Sequence, residues 1–180
     1  MHNLKSLTAL FVAIFFTVKT QPSYSMSIAD MGGLTRIMIP VYAFGMSMNE
    51  EGWDGAAQFA QSFAATSLAV YGIKEGINAR RPDGGDEKSF PSGHTAMAFS
   101  GATFIHKRYG LERAIIPYAL AGFTGYSRYH AGKHYVHDIA AGALISSVIT
   151  WNLISRYKTD YDVNVSASPD HVYMGFKTIF

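Results

Sequence analysis

Three short segments hold most of the side chains in this sequence that could do chemistry. They are Lys74-Glu-Gly-Ile-Asn-Ala-Arg80-Arg81-Pro82, Pro91-Ser92-Gly93-His94, and Ser127-Arg128-Tyr-His-Ala-Gly-Lys-His134-Tyr-Val-His-Asp138. Lys74, Arg81 and Arg128 supply fixed positive charge, and guanidinium forks read phosphoryl oxygens bidentately. Ser92 and Gly93 sit where a helix begins, so free backbone N–H groups and the helix dipole favour an anion there. Gly93 has no Cβ, which lets a ligand come close to the main chain. His134 and Asp138 are four apart and share one face if a helix starts near His134. The carboxylate can then hold one ring nitrogen and leave the other free to attack phosphorus. His94 comes from a different segment and can protonate the departing oxygen as general acid. Attack and protonation from opposite sides fit an in-line displacement, and no metal or other cofactor is required.

The elements that must position these groups are helices. Five stretches carry no Asp, Glu, Lys or Arg: Ile37–Asn49, Gly55–Ile73, Ser89–Ile105, Ala114–Ser127 and Ile139–Ser155. Ala, Gly, Phe, Met and Leu dominate them without strict alternation, which favours helix over strand. Breaks are marked by Glu50-Glu51-Gly52, Pro82-Asp83-Gly84-Gly85, Tyr109-Gly110 and Gly132. Helices joined by short connections alternate in direction, so the exit of the second, the entry of the third and the junction of the last two share one end. All three reactive segments therefore meet at one pole of an all-α helical bundle of about five core helices. In the tail, alternation around Ser168-Pro169-Asp170 predicts a short C-terminal β-hairpin over 159–180.

Composition sets the bounds. Of 180 residues, 48% are hydrophobic and only 16% charged, which excludes a disordered chain or a charged nucleic-acid-binding tail. The net charge of +2 implies no polyanionic partner, so no nucleic acid is expected. The absence of cysteine removes disulfides, thiolate metal sites and cysteine nucleophiles. Residues 1–25 read as a signal peptide: a basic start, an apolar run over Ser6–Val18, and small residues at Ser23 and Ser25. An uncleaved anchor is the alternative, and either form directs residues 26–158 to the extracytoplasmic side. The body reads as a compact bundle at or in the outer face of the inner membrane. Two features oppose full spans: the mean hydropathy of +0.07, and the acidic loop Glu50–Asp54, which a spanning arrangement would put in the cytoplasm.

The arrangement Lys-x6-Arg-Pro, Pro-Ser-Gly-His, Ser-Arg-x5-His-x3-Asp resembles the signature of the type 2 phosphatidic acid phosphatase family, shared with bacterial class A acid phosphatases and vanadium haloperoxidases. Lys74, Arg81, Pro82, Pro91, Ser92, Gly93, His94, Ser127, Arg128, His134 and Asp138 fill every signature position in order. The resemblance covers about Gly55 to Ser155. It implies that His134 forms a phosphohistidine, that Asp138 supports it and that His94 handles the leaving group. Lys74, Arg81 and Arg128 would hold the phosphate. The implied protein is a metal-independent phosphatase acting on a phosphomonoester or pyrophosphate, with a phosphorylated lipid preferred over a small soluble phosphate ester. Membrane members of the family usually have six spans and soluble members are usually longer, so the short chain and its tail leave the substrate class open.

Other chemistries share these residues. Singly, Lys74 and Arg81 are ordinary helix-end cations, Ser92 an N-cap and Asp138 a first-turn acid. His130, His134, His137 and Asp138 have the spacing of a zinc site, although Gly132 interrupts it and the cations are left without a task. A vanadate-dependent haloperoxidase would use the same anion cradle. A non-catalytic envelope protein that binds phospholipid would need the cations but not the His94, His134 and Asp138 set. Arg80 is assigned to solvent, His106 to a solvated opposite pole, and Tyr126, Tyr129 and Tyr135 to an interfacial aromatic rim.

Overall fold

The computed structural model describes residues 25–157 in full, together with the backbone of 161–168 and 171–178. The predicted signal peptide and its cleavage point fall almost wholly outside these residues. Five helices form the body: α1 (Ile28–Glu51), α2 (Trp53–Gly76), α3 (Gly93–Tyr109), α4 (Leu111–His130) and α5 (Val136–Leu153). Each contains its expected charge-free stretch or nearly all of it. The largest difference is at α1, which begins nine residues before Ile37. Asp30 and Arg36 interrupt the charge-free pattern there without interrupting the helix. Asp30 is part of the helix start, because Ser27 and Asp30 cap each other reciprocally: Ser27 Oγ accepts from Asp30 N at 3.1 Å and Ser27 N donates to Asp30 Oδ2 at 3.1 Å.

Two connections are a single residue long, Gly52 between α1 and α2 and Gly110 between α3 and α4. Both adopt positive φ, +65° and +99°, which reverses the chain without a Cβ penalty. The helices alternate in direction as expected, so the ends of α2 and α4 and the starts of α1, α3 and α5 gather at one pole. In the tail, the backbones of Tyr161–Ser168 and His171–Thr178 pair antiparallel, Tyr161 opposite Thr178. The all-helical body carries the fold, and neither strand belongs to it.

The interior is unusual in what it buries. Phe59, Phe104, Ile105 and Met46 form an apolar cluster toward the far pole. Elsewhere most buried positions are small or hydroxylic, with Ile39 and Val70 among the exceptions. Thr35 and Thr124 share a hydrogen bond at 2.7 Å between α1 and α4, and Thr103 meets Ser147 at 3.1 Å. Ser62 and Ser146 bond back to carbonyls of their own helices. The large aliphatic residues face outward instead: Leu68 is 72% exposed and Leu144 66%, with Val41, Ile115, Ile116 and Val148 also exposed. No described helix is long and apolar enough, by average hydropathy, to cross a membrane.

The far pole resolves the objection raised by the acidic loop. Glu51 is nine-tenths buried and paired with Arg108, whose Nη1 also donates to Gln58 Oε1 at 3.0 Å and Ser155 O at 2.8 Å. Glu50 pairs with Arg113 at 3.2 Å. Two of the loop's three acids are thus partnered by cations that flank the next connection, Arg108 of α3 and Arg113 of α4. His106, expected in solvent, is half-buried, with Nδ1 3.2 Å from Tyr118 Oη and its ring against Trp151.

Small residues let the helices approach. A Cβ at Gly142 of α5 would lie 2.5 Å from the Ser92 carbonyl oxygen, which opens α3. Gly142→Val should therefore lower stability by about 1–3 kcal/mol through overpacking against main chain. Gly122→Ala, where a Cβ meets nothing within 4 Å, should hold or slightly raise the thermal midpoint in detergent, because Ala is the better residue in a helix interior. Equal midpoints for the two variants would disprove this account of the α3–α5 contact.

Candidate active site

One open cavity of about 380 Å³ lies at the pole where the three segments meet. Arg81, His94, Arg128 and His134 line it, with Asp83, Gly85, Asp86 and Lys133 at its mouth. These residues come from the α2–α3 loop, the start of α3, the end of α4 and the α4–α5 loop. The two loops are stapled together: Asp83 N donates to Gly132 O at 3.0 Å and Lys133 Nζ to Asp83 Oδ2 at 2.5 Å. Within the first loop Arg81 N donates to Asp86 O at 3.0 Å and Arg81 Nε to Asp86 Oδ1 at 2.5 Å, which holds the guanidinium over the cavity.

His134 and Asp138 do share one face. His134 Nδ1 lies 3.6 Å from Asp138 Oδ2, beyond hydrogen-bond length, and is buried without a partner. Its Nε2 is 3.5 Å from Arg81 Nη1 on the cavity side. Asp138 is fully buried. Its Oδ2 accepts from Ser89 Oγ at 2.5 Å and from Tyr135 N at 2.9 Å, closing the first turn of α5. Its Oδ1 lies 3.1 Å from His137 Nε2, but off line for a hydrogen bond. Burial, then Arg81 and Lys74, push the His134 imidazole down to about 4, against the opposing pull of Asp138. At neutral pH the ring is therefore uncharged, as a nucleophile must be.

The expected phosphate holders divide. Arg81 and Arg128 line the cavity. Arg128 is anchored through its Nη2 to the Ala29 carbonyl and through Nε to Ser127 Oγ at 3.1 Å. Lys74 does not line it: its ammonium donates to the carbonyls of Lys88 at 2.6 Å and Pro91 at 2.8 Å, fastening the α2–α3 loop to α2. Ser92 is the N-cap of α3, and its own N–H donates to Asp138 O at 2.9 Å. The N–H groups of Gly93 and His94, in the first turn, are the ones left to face an anion. Among the described residues no three His, Asp or Glu side chains gather as a metal-ligand set, and His130 stacks on Tyr126 instead.

A family model of the PAP2 superfamily matches residues 55–161. The chain belongs to this superfamily, and it is a PAP2-type phosphatase. Among curated relatives, the lipid A 4'-phosphatase of Helicobacter pylori is 28% identical over 171 residues, 86% of this chain and 86% of that protein. The lipid A 1-phosphatase of Porphyromonas gingivalis is 37% identical over 95 residues, 48% of this chain and 21% of that protein. The fold is similar to the crystal structure of Aquifex aeolicus LpxE, with a TM-score of 0.59 at 22% identity, covering 79% of this chain and 93% of that one. It is also similar to the Bacillus subtilis transmembrane PAP2-type phosphatidylglycerolphosphate phosphatase, with a TM-score of 0.58 at 21% identity over 85% and 94% of the two chains.

Some residues of this PAP2 site were not singled out from the sequence. Ser89 looked like part of a charge-free helix, yet it is a direct partner of Asp138. Asp86 is the partner of Arg81, and its signal was the Gly-flanked turn that brings it back. Arg36 from α1 reaches His94, with Nη1 3.4 Å from Nδ1. Its signal was present as a lone charge early in an apolar helix, a position that ordinarily has a use.

The neutral form of His134, the form in which it could act as a nucleophile, is lost as pH falls through its pKa. The acidic limb of kcat/KM should thus lie near pH 4 rather than in the usual imidazole range. Arg81→Gln removes the foremost charge that depresses it and should move the limb upward. A limb that stays in place in the variant would show that Arg81 does not act on His134.

Proposed function

We propose that the protein is a membrane-embedded lipid phosphatase whose site faces the extracytoplasmic side. The observation that carries the chemistry is the convergence of His134, His94, Arg81 and Arg128 on one cavity, with His134 Nε2 on the cavity side and Nδ1 toward Asp138. Arg81, Arg128 and the first-turn N–H groups of α3 hold the phosphoryl oxygens, with Gly93 leaving the main chain open to them. His134 Nε2 attacks phosphorus, the bond to the departing oxygen breaks, and His94 meets that oxygen. Water then cleaves the phosphohistidine. Asp138 keeps the nucleophile oriented, Ser92 starts α3 where the site needs it, and Lys74 acts at one remove by holding the loop that carries Arg81.

A lipid substrate is supported by two independent lines. The relatives named above are lipid A phosphatases. The bundle also packs as membrane proteins pack, with small and hydroxylic residues between helices and aliphatic ones outside. Average hydropathy misses this because the polar inward positions dilute the lipid-facing ones. The outward face is supported by chain order: α1 begins immediately after the signal-like segment, and its start is at the site pole. On this reading 1–25 is the signal or anchor, 26–158 the catalytic bundle and 159–180 a hairpin flap apart from it.

Phosphate release in EDTA tests the reading, with one aryl phosphate and one lipid phosphate in detergent micelles. Activity should survive chelation, favour the lipid, and fall by at least about 10⁴-fold in His134→Ala without loss of fold. Turnover retained in that variant would sink the nucleophile assignment, and turnover abolished by EDTA in the wild type would sink the metal-free mechanism.

A further inference from the structure

We infer that the far pole carries a second anion site, and that its ligand is the phosphodiester head group of an anionic phospholipid in the leaflet opposite the active site. The inference goes beyond the phosphatase chemistry and rests only on the membrane-embedded part of the reading above.

A cavity of about 100 Å³ opens where the junction of α3 and α4 meets the chain leaving α5. Glu50, Arg108, Tyr109, Arg113, Arg156 and Tyr157 line it. Three arginines thus face one carboxylate, and the nearby acids are already committed. Glu51 holds Arg108 from within, and Glu50 pairs with Arg113 at 3.2 Å. Arg156 is exposed and has no carboxylate partner among the described residues. Within the cavity one positive charge is left over, and the monoanion of a phosphodiester would balance it.

The chain path presents these cations. Tyr157 N donates to Arg108 O at 3.0 Å, which turns the chain after α5 back over the end of α3 and brings Arg156 to the cavity. The Tyr157 ring packs on Tyr109 with centroids 6.0 Å apart. Arg108 lies 5.7 Å over the first ring and Arg113 5.9 Å over the second. Such stacking orients a guanidinium plane while leaving its N–H edge open to phosphate. The edge of Arg108 is spent on Glu51, Gln58 and Ser155, so Arg113 and Arg156 supply the open donors.

The surroundings favour a lipid as the source of the phosphate. Leu111, Ile115 and Ile116 of α4 and Leu153 of α5 are each more than half exposed, and this apolar flank begins beside the arginines. Trp151 is 43% exposed with Lys107 Nζ 4.6 Å over its ring, an aromatic and cation pairing suited to head-group depth. Basic donors above an apolar flank follow the layout of a phospholipid, with the head group at Arg113 and Arg156 and an acyl chain along α4. A free phosphate would use the cavity but not the flank.

Both tryptophans of the chain, Trp53 and Trp151, lie at this pole, so their fluorescence reports binding here and not at the active site. The full-length protein in phosphatidylcholine nanodiscs is titrated with phosphatidylglycerol brominated in its acyl chains, and in parallel with brominated phosphatidylcholine. Equal quenching should need about fivefold less of the anionic lipid. Arg156→Gln should bring the two lipids close to equality, and Glu50→Gln, which frees Arg113, should widen the gap. Turnover of an aryl phosphate should be unchanged in both variants. A preference that survives Arg156→Gln, or wild-type quenching equal for the two lipids, would overturn the proposal. Loss of the preference on adding millimolar inorganic phosphate at constant ionic strength would overturn the lipid assignment in favour of a soluble phosphate. Quenching by neither lipid would overturn the membrane-embedded reading and this proposal with it. A wild type that releases no phosphate would overturn the phosphatase chemistry alone, and the quenching would still decide the far-pole site.

Discussion

The site depends on a buried carboxylate. Asp138 has no exposed surface, and a carboxylate in that position is costly unless hydrogen bonds replace its water. Here the carboxylate's bonds come from two separate segments. Ser89 Oγ arrives from the α2–α3 loop, and Tyr135 N comes from the start of α5. The Asp138 carbonyl meanwhile accepts Ser92 N at the entrance to α3. One residue thereby fixes the ends of two helices and the loop before α3. His134 is placed as a consequence, four residues earlier on the same face, with one nitrogen toward the acid and the other toward the cavity. Removing the acid would free the loop as well as the imidazole, so its orienting and structural roles cannot be separated by deletion alone.

Around that anchor the charges are sorted by depth. Arg128 is more than nine-tenths buried and in ion-pair contact with no carboxylate: it bonds to the Ala29 carbonyl and Ser127 Oγ, and Asp30 acts on it only from a distance. Arg81 has an acid, Asp86, but on its outer edge, at a position that is more than half exposed. The exposed pair Lys133–Asp83 sits at the mouth and contributes little to stability. The cavity is left with an excess of positive charge, the arrangement that a bound anion would balance. Lys74 fits the same scheme. Two main-chain carbonyls take up its ammonium, so its contribution is the loop that presents Arg81.

The sequence made the pole legible because the cues were local. Charge-free stretches, Gly-marked breaks and the alternation of helix direction together brought His94, Arg128, His134 and Arg81 to one end. The reading went astray where the deciding partner was remote. Lys74 and Ser92 N look free in the sequence, and only the crossing of α2 and α5 with the loop shows their partners. Ser89 is indistinguishable from other serines in an apolar run. Arg36 lies just outside the charge-free stretch that opens at Ile37, whereas α1 begins nine residues before Ile37. His106 was assigned to solvent because it neighbours Lys107 and Arg108. Its ring instead turns inward to Tyr118.

The acidic loop shows how the same remoteness affects topology. Glu50 and Glu51 seem out of place on a cytoplasmic face when counted alone, since orientation follows positive charge. Arg108 and Arg113 lie more than fifty residues later, yet they pair with these acids across the bundle end. The pole is therefore balanced rather than acidic, and it no longer opposes an orientation in which the other pole, with its uncompensated arginines and the start of α1, faces outward. The interior argues the same way. In water, Leu68 and Leu144 outside and Thr35, Ser62 and Ser146 inside would be an inverted and wasteful arrangement. Against lipid it is the economical one, because hydroxyls between helices find partners in neighbouring carbonyls while aliphatic side chains meet acyl chains. On the membrane-embedded reading proposed above, a bundle built in this manner would bring its open, positively charged end to the depth at which a lipid carries its phosphate.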